Sequence, residues 1–394
     1  MTTVSDITPP APAPVVAARG GPPDHRGSWI PSAGMIATRF MELRKRRGLM
    51  VALTLVTIGI PTVFLAIRLI LHAAAPHSYG PAGGYTIFNG LVVIVLYVFG
   101  FIVAATLGCT AGSVDLTDGM FRHLVVTGRS RLSLYLARIP AGLAIITSMV
   151  AAGFTIVCLV CVFAAPTQLN YQGVNVPSGL SVSGLETWAG NHPDKVICNF
   201  PFNEAVNPAV VMSVPCGPGG GGKIFRGPPG SVASSAPTPA MIKAQAIQIA
   251  RQDYSDYTRD FLYPPIGLMV RTGLWIELET LVGFVVGLGL GSLLGQRTVA
   301  VVLMIILEIV LTPILSRANL PHLINLQRGV VGLAVAHLEP SGLSFVFGGG
   351  GGPGGDQGTS LLVPETRTVA ICVIVGWLVV WTVLGAWRMM TRDT

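Results

Sequence analysis

The chain has 394 residues, of which 51% are hydrophobic and only 11% are charged, and its mean hydropathy is +0.65. Soluble globular proteins carry about 25% charged residues, so this composition excludes an ordinary soluble enzyme and indicates an integral membrane protein. The net charge of +7 is expected to reflect membrane topology and attraction to anionic lipid rather than nucleic-acid binding.

The first 35 residues are rich in Pro, Gly and Ala, so we expect a disordered cytoplasmic tail. We do not expect a signal peptide, because no apolar stretch with a cleavage site precedes the first span. In 36–48, Ile36, Phe40 and Leu43 repeat at helical spacing beside a basic cluster. This pattern predicts an amphipathic helix in the membrane interface, although a simple orientation signal explains the basic cluster equally well.

Six apolar stretches are each long enough to cross a hydrocarbon core of roughly 30 Å as a helix. They cover 49–73, 86–111, 138–164, 266–293, 298–315 and 368–388. The first contains Pro61, which a membrane helix tolerates better than a soluble helix does. The fourth and fifth are separated only by 295–297, which predicts a tight helical hairpin. The sequence therefore predicts an all-α polytopic membrane protein with six transmembrane helices.

Lysine and arginine residues near the span ends predict the orientation of the chain. Basic residues precede span 1, surround the connector between spans 2 and 3, mark the turn between spans 4 and 5, and follow span 6. The connector 72–84 between spans 1 and 2 contains neither lysine nor arginine. All basic ends lie on one side if both termini are cytoplasmic. We therefore expect a multi-pass protein of the bacterial plasma (inner) membrane.

The connector between spans 2 and 3 carries an apolar stripe that a plain polar loop does not need. Phe121, Leu124 and Val125 lie on one helical face. Ser130 is placed to cap the following helix. With the neighbouring arginines, this pattern predicts a docking helix over 116–127.

Two segments lie outside the predicted spans on the extracytoplasmic side. The first, 165–265, is a large insert between spans 3 and 4, and its Gly, Pro, Asn and Ser content predicts irregular or mixed structure with weak strands. Within it, Thr238 and Pro239 resemble a helix start. Three aromatics before span 4 are typical of an interfacial belt: Tyr254, Tyr257 and Phe261. The second segment, 316–367, contains a predicted short helix and a flexible glycine run.

The predicted domain order is a tail (1–35), an interfacial helix (36–48), spans 1–3 (49–164), the insert (165–265), spans 4 and 5 (266–315), the second outer segment (316–367), and span 6 with a cytoplasmic tail (368–394).

No stretch of the sequence predicts an enzyme active site. The run 217–223 fits the first seven positions of a phosphate-binding loop, but Ile224 stands where Ser or Thr would hold magnesium. The seven histidines show no paired metal spacing, so we predict no metal site.

Three glutamates lie within predicted spans, where an ionised carboxylate is costly unless it is paired or hydrated. Glu308 is near the middle of span 5, and Glu277 and Glu279 are in span 4, nearer the outer leaflet. All three are candidates for lining a translocation pathway, and a helix-packing bond is the alternative for Glu308. Snorkelling accounts for Arg68 and Arg271 near the span ends.

The six cysteines fall into two groups. Four lie in spans or at their ends and are expected to pack as small hydrophobic residues: Cys109, Cys158, Cys161 and Cys372. Cys198 and Cys216 both lie in the insert, in an environment that permits disulfides, so we predict that they form one.

Six spans, a basic interfacial helix before the first, an outer helical segment between spans 5 and 6, and the connector sequence together resemble an ABC-2-type permease, the membrane subunit of ABC exporters. In that family the connector carries an acidic residue, Gly, Arg, a Leu-rich pair, a small residue, Ser-Arg, and a basic residue entering span 3. Matching positions are Asp118, Gly119, Arg122, Leu124, Val125, Gly128, Ser130, Arg131 and Arg138. Within the coupling segment 112–137, the candidate ATPase-coupling residues are Asp115, Asp118, Gly119, Phe121, Arg122, Leu124, Val125, Arg129 and Arg131.

The resemblance implies one half of a translocation pathway, which pairs in the lipid with a second permease copy or a paralogue. It also implies that ATP and Mg²⁺ are bound by a separate nucleotide-binding ATPase subunit, so this chain needs no cofactor of its own. The exported substrate is not indicated, because the insert is much longer than the family's usual turn between spans 3 and 4.

Two other classes stay open. An ion-coupled secondary transporter would use Glu308 and Glu277 as ion sites, although such proteins usually show repeated halves and broken helices. A membrane receptor or scaffold would make the outer insert the functional part.

Overall fold

The computed structural model describes residues 30–75, 82–117, 130–165, 168–171, 174–177, 180–199, 212–214, 223–225, 239–252, 254, 257, 264–317, 324–340, 343 and 365–391. Within these ranges, six helices are long and apolar enough to cross a membrane: Arg47–Ala74, Tyr85–Val114, Arg131–Phe163, Ile266–Leu294, Arg297–Leu315 and Arg367–Thr391. Each overlaps one predicted span, and the predicted all-α polytopic membrane architecture is confirmed. They are called spans 1 to 6 below.

A short amphipathic helix precedes span 1. This helix, α1 (Ala33–Lys45), ends at Arg46, whose backbone leaves the helical region at φ −77° and ψ 71°. Its buried side chains are Arg39 and Leu43, and the helix packs along span 3. The change of direction at Arg46 separates α1 from span 1. The predicted location of this helix in the membrane interface stays a prediction.

Three of the spans contain a widened π-helical turn. These turns are Leu55–Gly59 in span 1, Leu91–Phe99 in span 2 and Ile306–Leu311 in span 5. The first directly precedes Pro61, which has no N–H group to donate to the carbonyl of Thr57, so the backbone opens there. Pro313 follows the turn of span 5 at the same distance and leaves the carbonyl of Ile309 without its helical donor, whereas the turn of span 2 has no proline to explain it. Such turns are frequent at functional positions of helices.

The α-helical segments of spans 1, 2, 3 and 5 have the following bounds. Span 1 continues as Arg47–Thr54 and Ile60–Ala74, span 2 as Tyr85–Gly90 and Gly100–Thr117, span 3 as Arg131–Leu136 and Arg138–Phe163, and span 5 as Arg297–Ile305 and Thr312–Arg317.

Span 4 is the centre of the bundle. In the most apolar 18-residue stretch of span 4, 78% of the residues are buried, and in that of span 2, 62%. In the corresponding stretches of spans 1, 5 and 6 only 22% are buried. Gly283, Gly287 and Gly291 recur every fourth residue on span 4 and face span 2. Gly287 and Gly291 lie against its backbone, and Gly283 lies against the ring and the carbonyl of Phe101. A methyl group at Gly287 would lie 2.8 Å from the carbonyl oxygen of Ala105. Small residues at this spacing let two membrane helices approach closely.

Spans 4 and 5 form the predicted hairpin. Gly295 ends span 4 with a left-handed backbone (φ 68°), and its N–H donates to the carbonyl of Gly291 at 2.9 Å. Span 5 begins two residues later, at Arg297. Glycine adopts a left-handed conformation without steric cost, so this turn follows from the residue type.

The insert between spans 3 and 4 has a small core of its own. Its described helices are α2 (Val182–Asn191), α3 (Pro193–Asn199) and α4 (Pro239–Gln252). Two antiparallel hairpins accompany them: β1 (Gln168–Tyr171) with β2 (Val174–Pro177), and β3 (Met212–Val214) with β4 (Lys223–Phe225). The apolar core contains Val176, Leu185, Ala189, Val196, Ala246, Ile249, Ala250 and Tyr257.

Two tyrosines predicted for the interfacial belt belong to this core instead. The hydroxyl of Tyr257 donates to the carbonyl of Pro177 at 2.6 Å and accepts from the N–H of Leu180 at 3.0 Å. Tyr254 packs beside it and donates to the carbonyl of Leu180 at 3.3 Å. The belt interpretation was wrong for both residues, because an aromatic ring with a polar tip serves a small core as well as a membrane interface. Phe261 lies outside the described residues.

The segment between spans 5 and 6 enters the bundle. It contains α5 (Ile324–Arg328) and α6 (Val331–Ala336), and every residue of α6 is buried. The indole of Trp377 donates to the carbonyl of Gly329 at 2.8 Å, and that of Trp275 donates to the carbonyl of Val335 at 2.9 Å. Both tryptophans lie about 13 to 15 Å along their spans from the end where the insert attaches, at 1.5 Å per residue.

This placement adds a re-entrant feature to what the sequence predicts as an outer segment. Irregular backbone at membrane depth is tolerated where protein surrounds it and satisfies its polar groups. The two indole donors do this for the carbonyls at either end of α6.

Candidate functional site

The predicted coupling residues are at the end of the bundle where span 2 ends and span 3 begins, called the connector end below. Asp115 lies in the last turn of the helix Gly100–Thr117. The Ser130 hydroxyl accepts from the N–H of Ser133 at 3.2 Å, which confirms the predicted helix cap. Most of the docking helix predicted over 116–127 lies outside the described residues. So do seven of the nine candidates: Asp118, Gly119, Phe121, Arg122, Leu124, Val125 and Arg129. Their role stays a prediction.

Two arginines join the start of span 3 to neighbouring spans at this end. Arg138 is only 2% exposed and donates to the carbonyl of Gly112 in span 2 at 3.3 Å. Arg131 donates to the carbonyl of Met390 near the end of span 6 at 3.0 Å. The carbonyl of Gly112 also accepts from the hydroxyl of Ser292 in span 4 at 3.4 Å. Both ends of the connector are thus fixed to the same end of the bundle.

Helix α1 completes this surface. Arg39 pairs with Glu42 at 2.7 Å. These two residues line a small cleft together with Leu43, Ala111, Val114 and Arg138. The amphipathic helix, the end of span 2 and the start of span 3 therefore form one continuous surface, with charged groups from two elements at its cleft.

A second candidate site lies inside the bundle, where the structure brings two of the predicted pathway residues together. Glu279 of span 4 is 1% exposed and Glu308 of span 5 is 5% exposed. Their carboxylates are close enough to interact electrostatically. Among the residues that the structure describes, neither oxygen of Glu279 has a hydrogen-bond partner, and the same holds for Oε1 of Glu308. The site is therefore a buried pair of carboxylates with unused hydrogen-bonding capacity.

The position of Glu308 depends on the π-helical turn of span 5 and on α6. The carboxylate lies against Gly332 of α6, where an added methyl group would be only 2.7 Å from its carboxyl carbon. Oε2 accepts a long hydrogen bond of 3.4 Å from Thr312. Glu308 lies about 10 Å along span 5 from Leu315, at 1.5 Å per residue. A side chain at position 332 would force the Glu308 carboxylate to move.

A stacked aromatic pair lies on spans 2 and 4. Tyr97, in the π-helical turn of span 2, stacks on Trp275 with ring centroids 4.5 Å apart. The Tyr97 hydroxyl group is within electrostatic range of Glu279, Glu308 and also Glu339. Tyr97 is therefore within electrostatic range of one titratable group each on span 4, on span 5 and in the segment after α6.

Glu277, the third predicted pathway residue, does not join the pair. Its carboxylate is buried and without a hydrogen-bond partner, but Glu277 and Glu279 are two residues apart on a helix and so point about 200° apart. Sequence reasoning did not identify Tyr97, Gly332 or Glu339 as members of the site. The sequence carries no periodic signal that links these three distant positions.

The end of α6 is joined to the start of span 6 by a titratable contact. His337 Nε2 and Glu365 Oε2 are 4.0 Å apart, and the Glu365 side chain is almost inaccessible. Burial raises the pKa of Glu365 above its ordinary value, an effect that the nearby His337 and Arg328 partly offset. This contact lies outside the spans, at the end where the insert attaches.

The four cysteines in the spans or at their ends are free thiols: Cys109, Cys158, Cys161 and Cys372. Cys216 and the side chain of Cys198 lie outside what the structure describes, so the disulfide stays a prediction. Within the described residues, no group of three or more His, Cys, Asp or Glu side chains is arranged to hold a metal ion.

No protein-family model matches the sequence, and no curated protein or solved structure matches it either. The functional argument therefore depends on the residues of this chain and on the geometry of its two candidate sites.

Proposed function

We propose that this chain is the membrane-spanning permease subunit of an ATP-driven exporter of the ABC-2 type, and that a separate ATPase subunit docks at the connector end. The motif over 115–138 resembles the coupling connector of that family. An amphipathic helix and six apolar spans accompany it.

The observation that carries the proposal is the attachment of the connector. Arg138 and Arg131 fix its exit to spans 2 and 6, at 3.3 and 3.0 Å, and α1 packs beside it on span 3. A helix on the connector would be held at both ends by a rigid base. A force applied to it by an ATPase would then reach spans 2, 3, 4 and 6 rather than being lost in a flexible loop.

The exposed faces of the outer spans support a second permease copy or a paralogue as partner. Only 22% of the residues in the most apolar stretches of spans 1, 5 and 6 are buried. Apolar residues there, such as Ile67, Val310 and Val379, are about half exposed. Lipid covers such faces, and a second permease can cover part of them while the two chains enclose a pathway.

Charge reversal on the connector tests the proposal. The chain is purified in mild detergent from cells that produce it with its candidate ATPase, and ATP hydrolysis by the complex is compared with transport in vesicles. For Arg122→Glu and Phe121→Asp we expect normal insertion but loss of the link between ATP hydrolysis and transport. Arg367→Glu is the matched control, because it reverses a charge at the opposite end of span 6.

Two results would contradict the proposal. One is wild-type coupling in both connector variants with the ATPase still bound. The other is transport by the purified chain in liposomes that needs an ion gradient and no ATPase.

The second result would favour an ion-coupled secondary transporter. The buried carboxylates of Glu279 and Glu308 support this alternative. Carboxylates inside a membrane protein commonly mark proton or ion pathways. In that case Glu279→Gln or Glu308→Gln would abolish transport driven by the gradient, whereas the connector variants would retain it.

A further inference from the structure

Spans 4 and 6 cross at two glycines that face each other. A methyl carbon added to Gly385 of span 6 would lie 3.0 Å from Cα of Gly289 in span 4. One added to Gly289 would lie 2.9 Å from the carbonyl carbon of Trp381, which is one helical turn before Gly385. Because neither glycine has a side chain, the two backbones are in direct contact here.

The side chain of Tyr135, near the start of span 3, lies at this crossing. It is completely buried. The methyl carbon added to Gly385 would lie 2.9 Å from Cζ of Tyr135 and would overlap its hydroxyl oxygen. The hydroxyl end of the ring and Cα of Gly289 are therefore both close to one point on span 6. Three spans meet at this point, and the tyrosine ring fills the space beside the two glycines.

Tyr135 is also attached to the connector. It lies in Arg131–Leu136, the short helix that Ser130 caps where the connector ends. Arg131 is four residues earlier and so on the same helical face, and it donates to the carbonyl of Met390 in span 6 at 3.0 Å. The short helix thus contacts span 6 at Met390 and again at the crossing. A displacement of the connector would act on this helix directly.

The Tyr135 hydroxyl is buried, yet it has no hydrogen-bond partner in the described part of the chain. Phenylalanine would fill the same space without leaving a polar atom unsatisfied, so packing in this conformation does not account for the hydroxyl. An acceptor is available at the crossing. The carbonyl oxygen of Trp381 lies against Gly289. It belongs to the helix of span 6, and a helical bond uses only one of its two lone pairs.

We propose that Tyr135 is a positioning residue that links the connector to the crossing of spans 4 and 6, and that its hydroxyl donates to a backbone carbonyl there in a second arrangement of these spans. The carbonyl of Trp381 is the acceptor that the geometry offers. Displacement of the connector moves the ring, and the new hydrogen bond stabilises the second arrangement. The inference rests on the proposed function, because an ATPase docked at the connector end supplies the displacement.

Tyr135→Phe tests the hydroxyl separately from the ring. It removes one unpaired oxygen, so the melting temperature of the purified chain without an ATPase should equal that of the wild type or exceed it. In the complex with the ATPase, ATP-driven transport should fall about five- to tenfold, the equilibrium factor of one hydrogen bond in the second arrangement. Binding of the ATPase should be unchanged. A residue with a merely structural role would not combine retained stability with reduced transport.

Gly385→Ala tests the position of the ring. Its methyl group would overlap the Tyr135 hydroxyl, and the backbone of Gly289 cannot rotate away, so both the melting temperature and transport should fall. Gly376→Ala is the matched control in span 6, because no atom lies within 4 Å of its new methyl group. Tyr135→Leu should lower the melting temperature less in the Gly385→Ala background than in the wild type, because the ring and the methyl group compete for one space.

Two outcomes would overturn the inference and leave the exporter proposal standing. One is a Tyr135→Phe chain that melts below the wild type, since its hydroxyl would then already be bonded in this arrangement of the spans. The other is wild-type coupling in Tyr135→Phe under conditions in which Arg122→Glu loses it. Transport by the wild-type chain that needs no ATPase would overturn the exporter proposal and this inference with it.

Discussion

The close contact of span 4 with span 2 at Gly283, Gly287 and Gly291, called the seam below, gives the sharpest prediction for stability. Gly287→Ala would place a methyl carbon 2.8 Å from the carbonyl oxygen of Ala105 and 3.2 Å from its Cα, where ordinary contact begins at 3.4 Å. The two helices must then separate by about 0.6 Å, because the obstructing atoms are backbone and cannot rotate away. Overpacking of this kind costs about 1 to 3 kcal/mol. We expect this loss for Gly287→Ala, less any small gain from the higher helix propensity of alanine.

Gly376→Ala is the matched control, because it makes the same change within span 6, where no atom lies within 4 Å of the new methyl group. It should be neutral or slightly stabilising, since alanine favours a helix by about 1 kcal/mol over glycine. The assay is heating in detergent, followed by size-exclusion measurement of the fraction that remains monodisperse. Equal melting of the two variants would refute close packing along the seam.

Two further predictions follow from contacts outside the spans. Tyr257→Phe removes the hydroxyl between Pro177 and Leu180, which should cost about 1 to 3 kcal/mol and speed proteolysis within the insert; equal protease protection of the insert would contradict this. Burial raises the pKa of Glu365 above the ordinary 4.5, so its contribution to stability is fully present below the unfolded value and is lost as the pH rises through the folded value. The melting temperature of the wild type relative to that of Glu365→Gln should therefore fall as the pH rises above about 4.5. If the difference between the two melting temperatures does not change with pH, the protonation of Glu365 does not affect stability.

The spans were predictable because membrane burial leaves a long, one-dimensional signal. About twenty apolar residues in a row predict a helix without any knowledge of its neighbours. The cap at Ser130 and the turn at Gly295 were predictable for a similar reason, since each depends on the chemistry of one or two residues. The glycine spacing on span 4 was also present in the sequence, as Gly283, Gly287 and Gly291, and it is the signal that would have identified the seam with span 2.

The π-helical turn of span 2 and the path of α6 could not be obtained in the same way. The apolar composition of Val331–Ala336 is compatible with an outer helix, a membrane interface or a buried segment. Its burial depends on two indole donors, from Trp275 and Trp377, that come from different spans and reach the carbonyls at its ends. Tyr254 and Tyr257 were misassigned for the same physical reason, because an amphipathic ring favours any boundary between apolar and polar surroundings.

The two candidate sites lie in different parts of the molecule, and the structure offers a physical link between them. Span 4 contacts the connector end through Ser292 and Gly112, and it carries Glu279 about 20 Å away at 1.5 Å per residue. At Gly287 and Gly291 its contact with span 2 is mostly between backbones, so spans 2 and 4 are expected to move together. Movement at the connector would then displace Tyr97 and Glu279 relative to Glu308, which is held by span 5 and α6. If an ATPase binds at the connector end as proposed, spans 2 and 4 are the elements that would transmit its movement to the region of Glu279.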